Sequence, residues 1–123
     1  RATFFIDPNE TGRLKTKSGA DWQTLENSDR IDDGIWHRIW LVADNANDVF
    51  ETHIQGGEWN EPTLLRADSG EPSLFRNGPC AESLKTLCVT KNIGPGEGGA
   101  YWTEPVHFDD FFIDPTGKNL SIP

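Results

Sequence analysis

The hydrophobic and polar positions are most sharply ordered between residues 35 and 57. Ile35-Trp36-His37-Arg38-Ile39-Trp40-Leu41-Val42-Ala43 is rich in β-branched and aromatic side chains, and both of its alternating sets are largely apolar. That pattern predicts a central strand covered on two faces, with Trp36 and Trp40 in the core. Asp44-Asn45-Ala46-Asn47-Asp48 follows, and such residues tolerate left-handed backbone and hydrogen-bond their own turns. Val49 to Gln55 then alternates, with Phe50, Thr52 and Ile54 on one face and Glu51, His53 and Gln55 on the other. Gly56-Gly57 ends it, so a β-hairpin with its loop at 44–48 is predicted.

The same pattern marks further strands. Ala2 to Ile6 is halted by Asp7-Pro8, and Leu14 to Lys17 is its expected hairpin partner. Leu84 to Thr90 alternates, Ala100 to Trp102 opens another strand, and Val106 to Ile113 is the last. Ser69 to Arg76 is expected to hold at most one helical turn. No window of ten residues carries a helical period. Short strands separated by Gly/Pro turns predict an all-β antiparallel sandwich, one domain over residues 1–123. Phe4-Phe5-Ile6-Asp7-Pro8 recurs as Phe111-Phe112-Ile113-Asp114-Pro115, too short an echo for a repeat architecture.

Composition narrows the partners. Twenty Asp and Glu against 11 Lys and Arg give a net charge of −9, which disfavours nucleic acid because phosphate needs a positive footprint. No run of 18 apolar residues is present, so no helix is expected to insert in a membrane. Five Trp, seven Phe and one Tyr argue against disorder. The chain has no Met and starts at Arg1, which is read as a processed piece of a longer protein.

Gly34-Ile35-Trp36-His37-Arg38-Ile39-Trp40-Leu41-Val42-Ala43-Asp44, with Phe50 to Gly57 after the turn, resembles the "G-x-W-H-x-I-x-L-V-x-D … V-Y-V-x-G" hairpin of laminin-G-like, concanavalin-A-like domains. Phe75-Arg76-Asn77-Gly78, Leu84 to Val89 and His107-Phe108-Asp109-Asp110-Phe111-Phe112-Ile113-Asp114-Pro115 are similar to the later strands of bacterial members. The resemblance covers about residues 31 to 123. It implies a two-sheet antiparallel jelly roll whose N-terminal strands are here incomplete. An incomplete sandwich exposes sheet edges, where a partner chain or a second copy would pair. The fold hosts lectins, adhesion modules and glycanases, so it does not fix function.

Three chemistries follow. A glycan site needs aromatic planes flanked by polar groups, and Trp59 with Asn60, Tyr101 with Trp102, and Trp22 between Asp21 and Gln23 are the candidates. The plainer reading is that each ring pins its loop to the body. Calcium is second: Asp109 and Asp110 would face opposite sides of a strand, and a buried carboxylate needs a cation or donors. The resemblance implies that an aspartate of this late strand helps hold a structural calcium. Hydrolysis is third and not expected. The "E-x-D-x-E" carboxylates of concanavalin-like glycanases are absent, and His37, His53 and His107 have no motif partners. Cys80 and Cys88, eight apart, are either a short-loop disulfide or two thiols. The disulfide reading suits a secreted or cell-surface protein. Together these predict a non-catalytic, extracellular, carbohydrate-binding module, with an assembly module completed by a neighbouring chain as the alternative.

Overall fold

The computed structural model describes residues 4–7 (backbone), 13–25, 34–67, 70–76, 78, 107–110 and 112–121. All regular structure among them is antiparallel β, and none is helical. The first sheet is a meander of β1 (Phe4–Asp7), β2 (Arg13–Ser18) and β3 (Asp21–Thr24). The second contains β4 (Arg38–Asp44), β5 (Val49–Gly56) and β6 (Trp59–Leu65) in that order. A short β7 (Ser73–Leu74) pairs with the start of β5, and an isolated bridge joins Leu25 to Ala67.

The expected β4–β5 hairpin forms, with Asp44 opposite Val49 and a four-residue loop over 45–48. Asp44 makes the turn: one carboxylate oxygen accepts the main-chain N–H groups of Ala46 and Asn47, the other the side-chain amide of Asn47. Those bonds, led by the Asn47 amide, hold the Asp44 carboxyl below the usual carboxylate range. Asp48 closes the loop with left-handed backbone, as short polar side chains permit.

Period-two patterning places the core. Leu14 and Thr16 on β2, and Phe50, Thr52 and Ile54 on β5, are all buried. Leu14, Leu25, Ile54, Leu65 and Ala67 form one cluster drawn from both sheets, with Ile39 and Trp59 packed against it. Phe50 stacks on Phe75 at the other end, with ring centroids 6.5 Å apart. The sheets are also tied by polar bonds. The buried hydroxyls of Thr16 and Ser73 lie 3.0 Å apart, and the Leu74 N–H donates to the Ser18 hydroxyl.

Five expectations are corrected. Among the described residues, β4 stands at the end of its sheet, and the more polar β5 is central. The strand starts at Arg38, so Ile35 and Trp36 precede it and are 54% and 66% exposed. The reason lies in the ladder: Gln55 pairs with Arg38, but Gly56 turns away at positive φ to pair with Trp59. Trp59 therefore opens a strand where a loop was expected. Ser69–Arg76 contributes β7 in place of a helical turn. Residues 107–110 and 112–114 are exposed and carry no strand, so the expected Val106–Ile113 strand is not formed over them. Leu84–Thr90 and Ala100–Trp102 lie outside the described residues.

Candidate functional site

Each sheet has an outer face where a tryptophan lies beside a cation. On the first sheet, the burial of Leu14 and Thr16 turns Arg13, Lys15 and Lys17 outward. Register sets Lys17 opposite Trp22 and Lys15 opposite Thr24. The Lys17 ammonium lies 4.9 Å from the Trp22 ring centroid, within cation–π range. Trp22 is nevertheless 46% exposed, consistent with its place on the outermost strand of this sheet. Asp21 and Gln23 alternate with it and belong to the other face.

On the second sheet, Arg38 lies 5.9 Å from the ring of Trp40, which is only half-buried. His53 is the register neighbour of Trp40 and Leu64 and is almost fully buried. Its Nε2–H donates to a Glu51 carboxylate oxygen at 3.2 Å, and the Lys118 ammonium donates to the same oxygen at 2.7 Å. His53 Nδ1 is then buried without a hydrogen-bond partner among the described residues. The hydrogen bond from Lys118 is the main cause holding the Glu51 carboxyl below the usual range, with His53 assisting and burial opposing. Lys118 belongs to a segment organised by its own side chains. Asp114 accepts the main-chain N–H and hydroxyl of Thr116 and the amide of Asn119.

Trp36 has a third setting. A Cβ built on Gly56 would lie 2.6 Å from the Trp36 carbonyl oxygen and 3.1 Å from His37 Cα. The backbone of 36–37 is thus seated directly on Gly56, while the Trp36 side chain stands in solvent. His37 meets Trp59 edge-on, with centroids 5.9 Å apart. Trp59 itself is half-buried against the core, as the plainer reading of that ring has it. The neighbouring main chain is irregular: β6 carries extra residues around Pro62, which cannot donate to the ladder. The Gln55 amide takes up the Asn60 carbonyl there.

Of the sequence-predicted residues, the structure thus leaves Trp22 46% exposed, places Trp59 in the packing and turns Asn60 outward. Tyr101, Trp102, Cys80 and Cys88 lie outside the described residues. Asp109 and Asp110 are both exposed, and an Asp109 carboxylate oxygen accepts the Asp110 N–H. The expectation that one of them is a buried carboxylate in need of a cation does not hold. No group of three metal-ligating side chains gathers among the described residues. Trp36 was missed because an apolar run alone cannot say where its ladder begins.

No protein-family model, curated protein or solved structure matches the chain. No described helix is long and apolar enough to cross a membrane.

Proposed function

We propose that the chain is a non-catalytic, carbohydrate-binding module of a secreted or cell-surface protein, with the laminin-G-like sandwich as its fold. The observation that carries this reading is the exposure of Trp22 and Trp36, at 46% and 66%, on a body that buries Phe50 and Phe75 almost completely. Both rings stand on fixed backbone, Trp22 in a ladder and Trp36 against Gly56. Rigid aromatic planes beside polar groups suit the C–H faces and hydroxyls of sugars. A glycan array tests it. Trp22→Ala and Trp36→Ala are each expected to weaken binding about three- to tenfold. Trp59→Ala is expected to lower stability instead. Absence of binding to any polymer, or binding indifferent to Trp22 and Trp36, would sink the proposal.

A second reading, an assembly module, is favoured by β4. Seven residues long and largely apolar, it has no strand on its outer side among the described residues. Such an edge invites pairing with another chain. Solution mass across a concentration series decides it, and a non-exchanging monomer excludes it.

A further inference from the structure

Open sheet edges are ordinarily guarded by shortness, a proline, a bulge or an inward charge. Three of the described edges follow that rule. β1 and β3 are four residues each, and β6 carries Pro62 and pairs through a register shift. β4 does not follow it. It is seven residues long, has no proline and pairs with β5 in unbroken register from Arg38 to Asp44. Among the described residues no strand meets its outer N–H and C=O groups. Its two charges, Arg38 and Asp44, stand at its two ends, and both residues are exposed.

This strand is complementary to itself. Directly opposed residues of an antiparallel pair share one face. A two-fold axis normal to the sheet keeps each face on its own side, so only residues of equal parity can meet. With the axis at Leu41, Arg38 meets Asp44 of a second copy, Ile39 meets Ala43, Trp40 meets Val42, and Leu41 meets itself. All seven residues are then opposed, and each end charge finds its opposite. Moving the axis to Trp40 sets Arg38 against Val42, and moving it to Val42 sets Asp44 against Trp40. Both end groups have capacity for the pairing. Arg38 lies 5.9 Å from the Trp40 ring, a contact that uses none of its five N–H donors. Asp44 accepts three bonds within its own turn, and a carboxylate offers about four acceptor sites.

We propose that β4 pairs antiparallel with β4 of a second copy of this chain, about a two-fold axis at Leu41, so that the two sheets become one. This rests on the assembly reading above and names its partner. Two chains of charge −9 repel one another. At about 0.15 M salt the screening length is about 8 Å, so distant charges are muted while the opposed Arg38 and Asp44 are not. Seven half-exposed residues a side make a small interface, and a weak, exchanging dimer is expected.

Sedimentation equilibrium of the whole chain at about 0.15 M salt, from about 1 to about 500 μM, tests it. The mass should rise from 13.7 kDa toward twice that value. Leu41→Lys and Leu41→Glu each set like charges on the axis and should each weaken association about tenfold or more. Mixed in equal parts, the two variants should associate again, because unlike charges then meet. Leu41 is half-buried, so a gentler pair of substitutions guards against folding effects. Oxidised Leu41→Cys should form a covalent dimer, since directly opposed Cα atoms lie about 4.5–5.5 Å apart. Ala43→Cys, exposed and opposed by Ile39, should cross-link no more than the parent chain. A mass of 13.7 kDa at every concentration overturns both this inference and the assembly reading. Association that ignores both charged variants overturns the two-fold pairing and leaves the assembly reading standing. So does cross-linking no greater for Leu41→Cys than for Ala43→Cys. If the charged variants melt as the parent does, failure of their mixture to associate also overturns it; if they do not fold, the cysteine pair decides.

Discussion

β4 and β5 are partners in one hairpin, and they contradict the simplest reading of hydrophobicity. β4 (Arg38–Asp44) is apolar on both faces, yet among the described residues it is an edge strand, with no fully buried residue. β5 (Val49–Gly56) is half polar, yet it is paired by β4, β6 and β7, and it buries Phe50, Thr52, His53 and Ile54. Centrality is a property of pairing. A strand becomes central when neighbours on both sides complete its N–H and C=O groups, and polar side chains are tolerated there if they find partners. His53 shows the tolerance: buried among apolar neighbours, it is held by Glu51, which Lys118 covers in turn.

The sharpest way to break this comparison is truncation on each strand. Phe50→Ala removes a fully buried ring stacked on Phe75 and should destabilise by about 3–5 kcal/mol. Leu41→Ala on the half-buried edge strand should cost about 1 kcal/mol. Urea unfolding of both variants checks the difference, and equal losses would mean that β4 is as central as β5. Next in size is Gly56→Ala. The new Cβ would strike the Trp36 carbonyl at 2.6 Å, and the backbone is already at φ 123°. A loss of about 1–3 kcal/mol is expected, with changed Trp36 fluorescence as the segment lifts. An unchanged spectrum would separate Trp36 from the β5 bulge.

The smallest effect concerns Glu51 and Lys118, on the outer face of β5. The folded-state value of Glu51 is lowered, so its contribution is full above the ordinary glutamate range and is lost as pH falls through the lowered value. Glu51→Gln should therefore be less stable than the parent by at most about 1 kcal/mol near neutrality. Chemical denaturation should show that gap closing in acid, below the ordinary glutamate range. A gap that widens in acid would reverse the assigned sign.

Much of the hairpin was legible in the sequence. Asp44 to Asp48 spells its turn in local chemistry, and the alternation of Phe50, Thr52 and Ile54 names the buried face, because a strand has period two whatever surrounds it. β1 and β2 were legible for the same reason. β3, β6 and β7 were not. Trp59-Asn60-Glu61-Pro62 has the composition of a loop and is held in a strand by a bulge that absorbs Pro62. The candidate site was partly legible: Trp22 stood out by type, while Trp36 was assigned to the core. Lys17 beside Trp22 carried no motif and becomes visible only when burial of Leu14 and Thr16 fixes which face points outward.

By itself, then, the sequence determined the β class, the β4–β5 hairpin loop and the buried parity of β5, since these follow from turn chemistry and backbone geometry within a few residues. Tertiary structure decided which strand is central, where β4 begins and which aromatic rings remain in solvent. The clearest case is one peptide in two places. Phe4-Phe5-Ile6-Asp7 is a strand because Arg13 to Thr16 lies beside it to complete its ladder. The same four residues recur at 111–114, where Phe112, Ile113 and Asp114 are exposed and irregular. Identical side chains carry identical propensity, and only a neighbour's N–H and C=O groups can turn that propensity into a sheet.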